Sequence, residues 1–551
     1  MINLEIKHNN RKLFNQIDNL SYYLLLFLIA GGVILFCFFP ILKIFNKSFI
    51  IDKTFTLNMY KGIFTENYIL LKNTLFTSLL SSIGATFIGI CIAFYIVFSK
   101  SWTSKYLYNF LLITMVSPPF VFGLSFITLF GRRGFITYRL LGLKLNPYGW
   151  QGIVILQIIG ELSFAAFLLV ESLKKIDGRL INASRSLGAS QWETIKRIII
   201  PFSFTGIISV FFILFTKNLA DFGTPIIIGG NYSTLATEAY LTVIGRGDLS
   251  KASAMTTLLV LPALFLFYFY RKSLEKGKKF YITGKGGETF NISLKPPLLL
   301  KIFLTVISII FVVIMFLQYS SIFLSGFYNY TINGFEFTLE YLDLFKLGKY
   351  STFIRSIYYS LIAGFVSASI GIIISYFTER KNIQAMKFIE FLSSLPYIIP
   401  GTFFGLGYIL AFNKSPIMLT GTAAIVVLNC TFRQISIGSK AGNSIFSKID
   451  INLEKAAQDL GAPKTRIMFD IIFPLVKPAF MVAFINGFTT TMTTTGAIIF
   501  LISPGASVAT VEMFNTIRDG DYGLASIIAI FIIIVTFFIN ILAIKFTKNR
   551  D

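Results

Sequence analysis

The chain is short of the residues that most often do chemistry. It has one histidine, His8, in a polar N-terminal stretch, which excludes imidazole catalysis or imidazole metal ligation within its apolar body. Its three cysteines, Cys37, Cys91 and Cys430, fall in apolar runs without metal-ligand spacing or a pairing pattern, and read as packing residues. No G-x-x-x-x-G-K-[ST] loop occurs. Gly284-Lys285 matches its tail, but Lys279 stands at the first glycine and Gly286 at the hydroxyl position, so ATP cannot be hydrolysed by that route. Acidic side chains are scarce as well, 26 against 49 basic ones. What is abundant is apolar: 55% of 551 residues are hydrophobic and the mean hydropathy is +0.73, too high for a soluble globule of this length.

A net charge of +23 raises a nucleic-acid reading, and the distribution of the charge argues against it. Between Arg271 and Lys301 stand Arg271, Lys272, Lys276, Lys278, Lys279, Lys285, Lys295 and Lys301 against Glu275 and Glu288 alone, as expected for a loop on the cytoplasmic side of a bilayer. The expected partner is lipid, and no nucleic acid is expected. Spanning takes ~20 mostly apolar residues. Twelve segments qualify: 22–45, 73–98, 106–130, 150–170, 202–222, 252–270, 300–320, 355–377, 388–412, 417–437, 475–500 and 522–546. Lys7, Arg11 and Lys12 precede the first, which is too long for a signal-peptide core and reads as a retained anchor. An even number of spans then puts both termini inside. Arg132, Arg133, Arg139 and Lys144 come out external and break the charge rule.

The segment Leu453 to Pro474, LEKAAQDLGAPKTRIMFDIIFP, recurs as Leu180 to Pro201, LINASRSLGASQWETIKRIIIP. Subtracting 188 from 461 for the glycines, or 201 from 474 for the prolines, gives the same offset of 273. Each copy opens with an apolar stripe at i, i+3, i+4, i+7: Leu180, Ala183, Ser184 and Leu187, then Leu453, Ala456, Ala457 and Leu460, the face expected to pack. Gly188 and Gly461 follow where a helix ends in the left-handed conformation, trailed by Ala189 and Ala462. Ser190 and Glu193 have capping-box spacing, Pro463 suits the first turn of a helix, and Pro201 and Pro474 are expected to open the next hydrophobic segments. The duplication extends outward: Gly89 pairs with Gly371 at an offset of 282, and Gly223 with Gly496 at 273. The fold class expected is therefore an all-α integral membrane protein of twelve transmembrane helices in two parallel six-helix repeats. Residues 1–21 form a cytoplasmic tail, 22–270 the first half, 271–299 a cytoplasmic linker and 300–551 the second half, with the pathway between the halves.

Polar residues inside the spans are the candidates for that pathway. Asn218 and Asp221 end the fifth span; Asn486 and a threonine run that includes Thr494 occupy the eleventh, and Asp221 pairs with Thr494 at offset 273. Asp221 either acts as a gate or cation contact, or bonds nearby backbone at a helix end. Pro118 and Pro119 in the third span, and Pro396 and Pro400 in the ninth, break helical hydrogen bonding; they line the path or kink a packed helix. Gln157, Glu161, Arg433 and Gln434 are further candidates. No catalytic constellation or metal cluster emerges.

The pattern carried by Glu454, Ala456, Ala457, Gly461, Ile472 and Pro474 resembles the cytoplasmic loop of binding-protein-dependent ABC importer permeases, although Lys455 interrupts the triplet and the first copy has Asn182, Ala183 and Ser184 there. The fusion of two halves, with DFGTPIIIGGNYSTLATEAY and LPYIIPGTFFGLGYIL, resembles the ferric-iron permeases of that family. The resemblance implies a type I importer permease in a bacterial inner membrane, which is not itself an enzyme. Its partners would be two copies of an ABC ATP-binding subunit holding ATP and Mg, and an extracytoplasmic substrate-binding protein that captures the cargo. No cofactor would belong to this chain. Thiamine, phosphonate and polyamine permeases look similar, and a six-plus-six secondary transporter is the rival class.

Overall fold

The computed structural model describes residues 23–51, 53–99, 102–115, 117–281, 296–331, 334–346, 350–463, 466–503 and 505–548. The tail 1–21, with His8, and residues 282–295 of the linker lie outside the described residues.

The first half runs through α1 (Tyr23–Phe49), α2 (Tyr68–Phe98), α3 (Trp102–Thr114), α4 (Pro119–Phe130), α5 (Trp150–Leu173), α6 (Gly178–Ser186), α7 (Gln191–Leu219), α8 (Leu235–Arg246) and α9 (Leu249–Tyr281). The second repeats the order in α10 (Leu298–Phe327), α11 (Tyr350–Arg380), α12 (Gln384–Ile398), α13 (Gly401–Phe412), α14 (Ala423–Phe446), α15 (Asn452–Asp459), α16 (Ile467–Thr493), α17 (Ala509–Arg518) and α18 (Tyr522–Lys548). After α1 and α10 alike the chain makes a two-stranded antiparallel hairpin, Ile50–Ile51 with Thr54–Phe55 and Tyr328–Thr331 with Gly334–Phe337.

Among the described residues ten helices are long and apolar enough to cross a membrane, or eleven with one bent pair, against the twelve expected. The differences have local causes. The third span is still present but displaced to Phe120–Leu140, because Pro118 and Pro119 interrupt the expected one and separate α3 from α4. The ninth bends by 111° between Gln384–Tyr397 and Gly401–Phe412, at Pro400. The tenth is present as α14, but Asn429, Arg433, Gln434 and Lys440 make it more polar than its neighbours. The eleventh ends at Thr493, and 494–500 leave the helix.

Helix α2 packs against α5 and α7, and α11 packs in the same way against α14 and α16. Glycine sets how close these approaches are: a Cβ on Gly371 would stand 2.6 Å from the Ile435 carbonyl oxygen, and one on Gly487 2.9 Å from the Cα of Gly364. The first helix of each half packs on its own last helix, α1 on α9 and α10 on α18, and also reaches across to the other half. Helix α1 lies on α12 and α13, where Tyr408 Oη donates to the Phe36 carbonyl at 2.9 Å and the free, buried Cys37 approaches the Phe432 carbonyl. Helix α10 lies on α2 and α4, where Tyr319 Oη donates to the Thr114 carbonyl at 3.3 Å and also bonds Ser117. The largest apolar core is accordingly shared by both halves.

Candidate functional site

Two elbows follow the C-terminal ends of α5 and α14. In the first, Asp177 caps α6 by accepting the Arg179 N–H at 2.9 Å, and the Arg179 guanidinium beside it holds its carboxyl below the usual range. Gly188 then turns the chain at φ +83°, and Gly461 does so at +81° after α15. Ser190 and Glu193 form the expected capping box. Pro201 and Pro474 do not open new helices as expected. Each sits in a continuous helix just after one π-helical turn, Ile195–Ile199 or Ile467–Ile472, which absorbs the hydrogen bond that proline cannot donate.

Most of each apolar stripe does not pack, which corrects the expectation drawn from its period; Ala457 is the buried member, in an apolar cluster with Phe446, Ile467 and Ile472. Leu187 is 88% exposed and Leu460 89%, with Leu180, Leu453, Asn182, Ala183 and Ala456 exposed as well. Ser184, whose Oγ shares a 3.2 Å hydrogen bond with Thr194 Oγ1, is half-buried, as are Ala189 and Ala462. Other residues hold the elbows down. Ile181 is buried beneath α6 in the same apolar cluster as Phe98, the last residue of α2. At the equivalent places the second half has Glu454 and Arg380, both buried. Glu454 Oε1 lies 3.5 Å from Arg380 Nε, and Oε2 lies 3.6 Å from Lys381 Nζ. Sequence periodicity missed this pair because its partners are about 70 residues apart and neither belongs to the stripe.

Within the bilayer the first half assembles a polar chain. Ser81 Oγ donates to Gln157 Oε1 at 2.8 Å, and Gln157 Nε2 to Asp221 Oδ2 at 2.9 Å. Asn218 Nδ2 donates to Glu161 Oε2 and to Ser82 Oγ, both at 3.1 Å, while Lys217 Nζ stands 3.7 Å from Glu161 Oε1. Asp221 also accepts the Thr224 N–H at 3.0 Å, so it joins the chain and caps a turn at once. Ser81, Ser82 and Lys217 escaped the sequence reading; the available signal was Gln157 and Glu161, four apart on one face of α5.

The second half answers this chain with neutral groups: Cys430, Gln434, Thr490, Thr491 and Thr494 stand at the offsets of Gln157, Glu161, Lys217, Asn218 and Asp221. Thr494 caps the end of α16 and lies 3.4 Å from Arg433 Nη1. Asn486 is exposed and bonds Thr490, away from this group. Pro118 and Pro400 cap α4 and α13, Pro119 begins α4, and Pro396 lies inside α12. Between the halves the space is filled by aromatic rings that polarity had not flagged: Phe222 on Tyr240 at 5.0 Å, Phe120 on Phe514 at 4.9 Å, Phe222 on Phe514 at 5.8 Å and Tyr240 on Phe500 at 5.8 Å.

A duplicated helical membrane body with a pathway-like seam and two exposed elbows defines the class as a two-half membrane permease. The chain belongs to the family described as binding-protein-dependent transport system inner membrane component, which matches residues 85–280 and again 360–549. It is 32% identical over 509 residues to the ferric transport system permease protein FbpB of Actinobacillus pleuropneumoniae, covering 90% of this chain and 73% of that protein. A provisionally named ferric transport system permease protein FbpB 1 of Haemophilus influenzae is 30% identical over 522 residues, 89% of this chain and 82% of its own length. The thiamine transport system permease protein ThiP of Haemophilus influenzae is 25% identical over 310 residues, 54% of this chain and 56% of its own.

Proposed function

We propose that the chain is the membrane-spanning subunit of an ATP-driven importer of ferric iron, working between an extracytoplasmic binding protein and two copies of an ATP-binding subunit that carries ATP and Mg. Both termini and both elbows would face the cytoplasm of a bacterial inner membrane. The observation that carries the reading is the pair of matched elbows, each presenting a leucine that is almost wholly exposed on a narrow apolar stripe. An apolar side chain left in water twice, at the same place in two repeats, is accounted for by a partner that covers it. If the bent pair α12–α13 and the more polar α14 each cross as α7, α9, α10 and α11 do, six crossings separate the two elbows and they lie on one side of the membrane. The names of two relatives matched over 90% and 89% of the chain support iron over thiamine, whose permease matches over 54%.

Transmission would run through the contacts beneath the elbows. Closure of the ATP-binding pair draws the elbows together; α15 pulls on α11 through Glu454 and Arg380, and α6 pulls on α2 through the apolar cluster of Ile181 and Phe98. Rocking of the halves parts the rings of Phe120, Phe222, Tyr240 and Phe514 and opens the seam. The polar chain from Ser81 to Asp221 then faces a passing cation with carboxylates that are already hydrogen-bonded. Coupling is reciprocal, so a loaded binding protein stimulates the ATPase. The test is that stimulation in proteoliposomes carrying Gly461→Pro with the ATP-binding subunit. Proline cannot adopt φ +81°, and undiminished stimulation would refute the role given to that elbow.

A further inference from the structure

Arg433 is a guanidinium in the middle of a membrane helix: nine residues of α14 separate it from Ala423, which places it roughly 15 Å from that end. Among the described residues no carboxylate lies within ion-pair distance of it, although an uncompensated charge at this depth is costly. What stands beside it is neutral: a threonine hydroxyl that accepts from it and the start of a helix. The fork rests against the start of α13, where a Cβ on Gly401 would come within 3.0 Å of Nη2 and 3.1 Å of Nη1, so the absence of that side chain is what admits it. Helix α13 has twelve residues, and its first N–H groups carry the positive end of its dipole; the first acceptor used within it is Pro400 O, taken by Phe404 N.

Hydroxyls stand on and next in sequence to the two residues that meet the fork. Thr494 Oγ1 lies 3.4 Å from Nη1. Thr402, in the first turn of α13 and 1% exposed, and Thr495, 4% exposed, each bury an Oγ1 that has no partner. Thr402 also lies beside Gly496, its Cγ2 3.9 Å from where a Cβ would stand there, and the Phe222 ring lies 3.5 Å from the same point. The group therefore opens onto the seam between the halves. The first half has no equivalent: at the same offsets Arg433, Thr402 and Thr495 become Gly160, Phe120 and Phe222.

We propose that Arg433, the N-terminus of α13 and the hydroxyls of Thr402, Thr494 and Thr495 form a station for a small tetrahedral or planar oxyanion inside the membrane, on the second-half wall of the seam. A guanidinium fork, free N–H groups and orphaned hydroxyls suit phosphate or carbonate oxygens and offer a bare metal cation nothing. Opposite the carboxylates of Glu161 and Asp221, the station lets a trivalent cation travel with its charge partly cancelled by an accompanying anion. The location on a transport path rests on the permease reading; the binding itself does not.

The experiment measures saturable binding of radiolabelled inorganic phosphate to the chain assembled with its ATP-binding subunit in nanodiscs of phosphate-free glycolipid, without nucleotide, so that transport failure does not enter. Arg433→Gln is expected to weaken binding at least tenfold, because a charge-assisted pair of hydrogen bonds is lost. Arg433→Lys keeps the charge without the fork and is expected to retain part of the affinity. Thr402→Val keeps the shape of the side chain and removes one donor, and is expected to weaken binding severalfold while the assembly stays intact. Repeating the measurement in phospholipid nanodiscs distinguishes a free anion, which still binds the label, from a lipid headgroup, which displaces it. No saturable binding to the wild type, or equal binding by the wild type, Arg433→Gln and Thr402→Val, overturns the proposal.

Discussion

The two elbows are built on one backbone plan and fastened by opposite chemistry. Under α6 the fastening is Ile181 in an apolar cluster with Phe98; under α15 it is a buried carboxylate, Glu454, between Arg380 and Lys381. An apolar fastening is tolerant of direction and of small movements. A buried ion pair is less forgiving, because separating it leaves charge without water, and it transmits pull along a defined line. The same contrast recurs in the bilayer, where one half carries a hydrogen-bonded chain with carboxylates and the other carries hydroxyls around a guanidinium. Symmetry of fold thus coexists with a division of labour in side chains.

The sharpest way to break the comparison is to convert one fastening into the other. Glu454→Ile strands Arg380 and is expected to cost about 3–5 kcal/mol of stability, read as a fall in the thermal unfolding midpoint of the assembled complex. Adding Arg380→Phe copies the first half and should return most of it; a double variant no better than the single one would show that the pair is not what fastens α15.

Next in size is a test of helix spacing at equivalent glycines. Gly371→Ala sets a methyl group 2.6 Å from the Ile435 carbonyl oxygen and is expected to cost about 1–3 kcal/mol, whereas Gly89→Ala meets Ala165 Cβ at 3.0 Å and should fall at the lower end of that range. Equal unfolding midpoints for the two variants would erase the difference in packing.

The elbow turns should behave alike. Nothing lies within 4 Å of a Cβ at Gly188 or Gly461, so alanine there strains only the left-handed backbone, at a cost of about 1 kcal/mol each. A large disparity between the two midpoints would mean that one turn is held by contacts absent from this structure.

Smallest for stability and most telling for coupling are Leu187→Ala and Leu460→Ala, expected within about 0.5 kcal/mol of wild type because both side chains are exposed. ATP-dependent uptake should nevertheless fall in both. Full uptake by the double variant would remove the basis for calling either leucine a docking residue.

Much of this architecture was legible because its signals are local. The constant offset between the copies, the capping box at Ser190 and Glu193, and the glycines that end α6 and α15 follow from chemistry within a few residues. The elbow stripe was legible as a pattern but not as a direction: a period of 3.6 reports that one face is apolar, not whether its cover comes from the same chain. Long-range choices were hidden altogether. Nothing in the periodicity of α1 or α10 says that each rests on the other half, and nothing around Phe222 or Phe514 separates a ring at the seam from an ordinary core ring. Asn486 and Asn218 are equally polar in sequence, yet one faces outward and the other joins a buried chain, because only the second finds Ser82 and Glu161 opposite it.

Each half is completed in part by a helix that reaches across from its twin, α1 in one direction and α10 in the other. Made as one polypeptide, the twins arrive in equal number and always meet the same neighbour, so neither ever has to fit a copy of itself. That release from self-matching is what allows a glycine on one side to stand opposite an arginine on the other, and lets two descendants of one ancestral sequence drift into unlike trades.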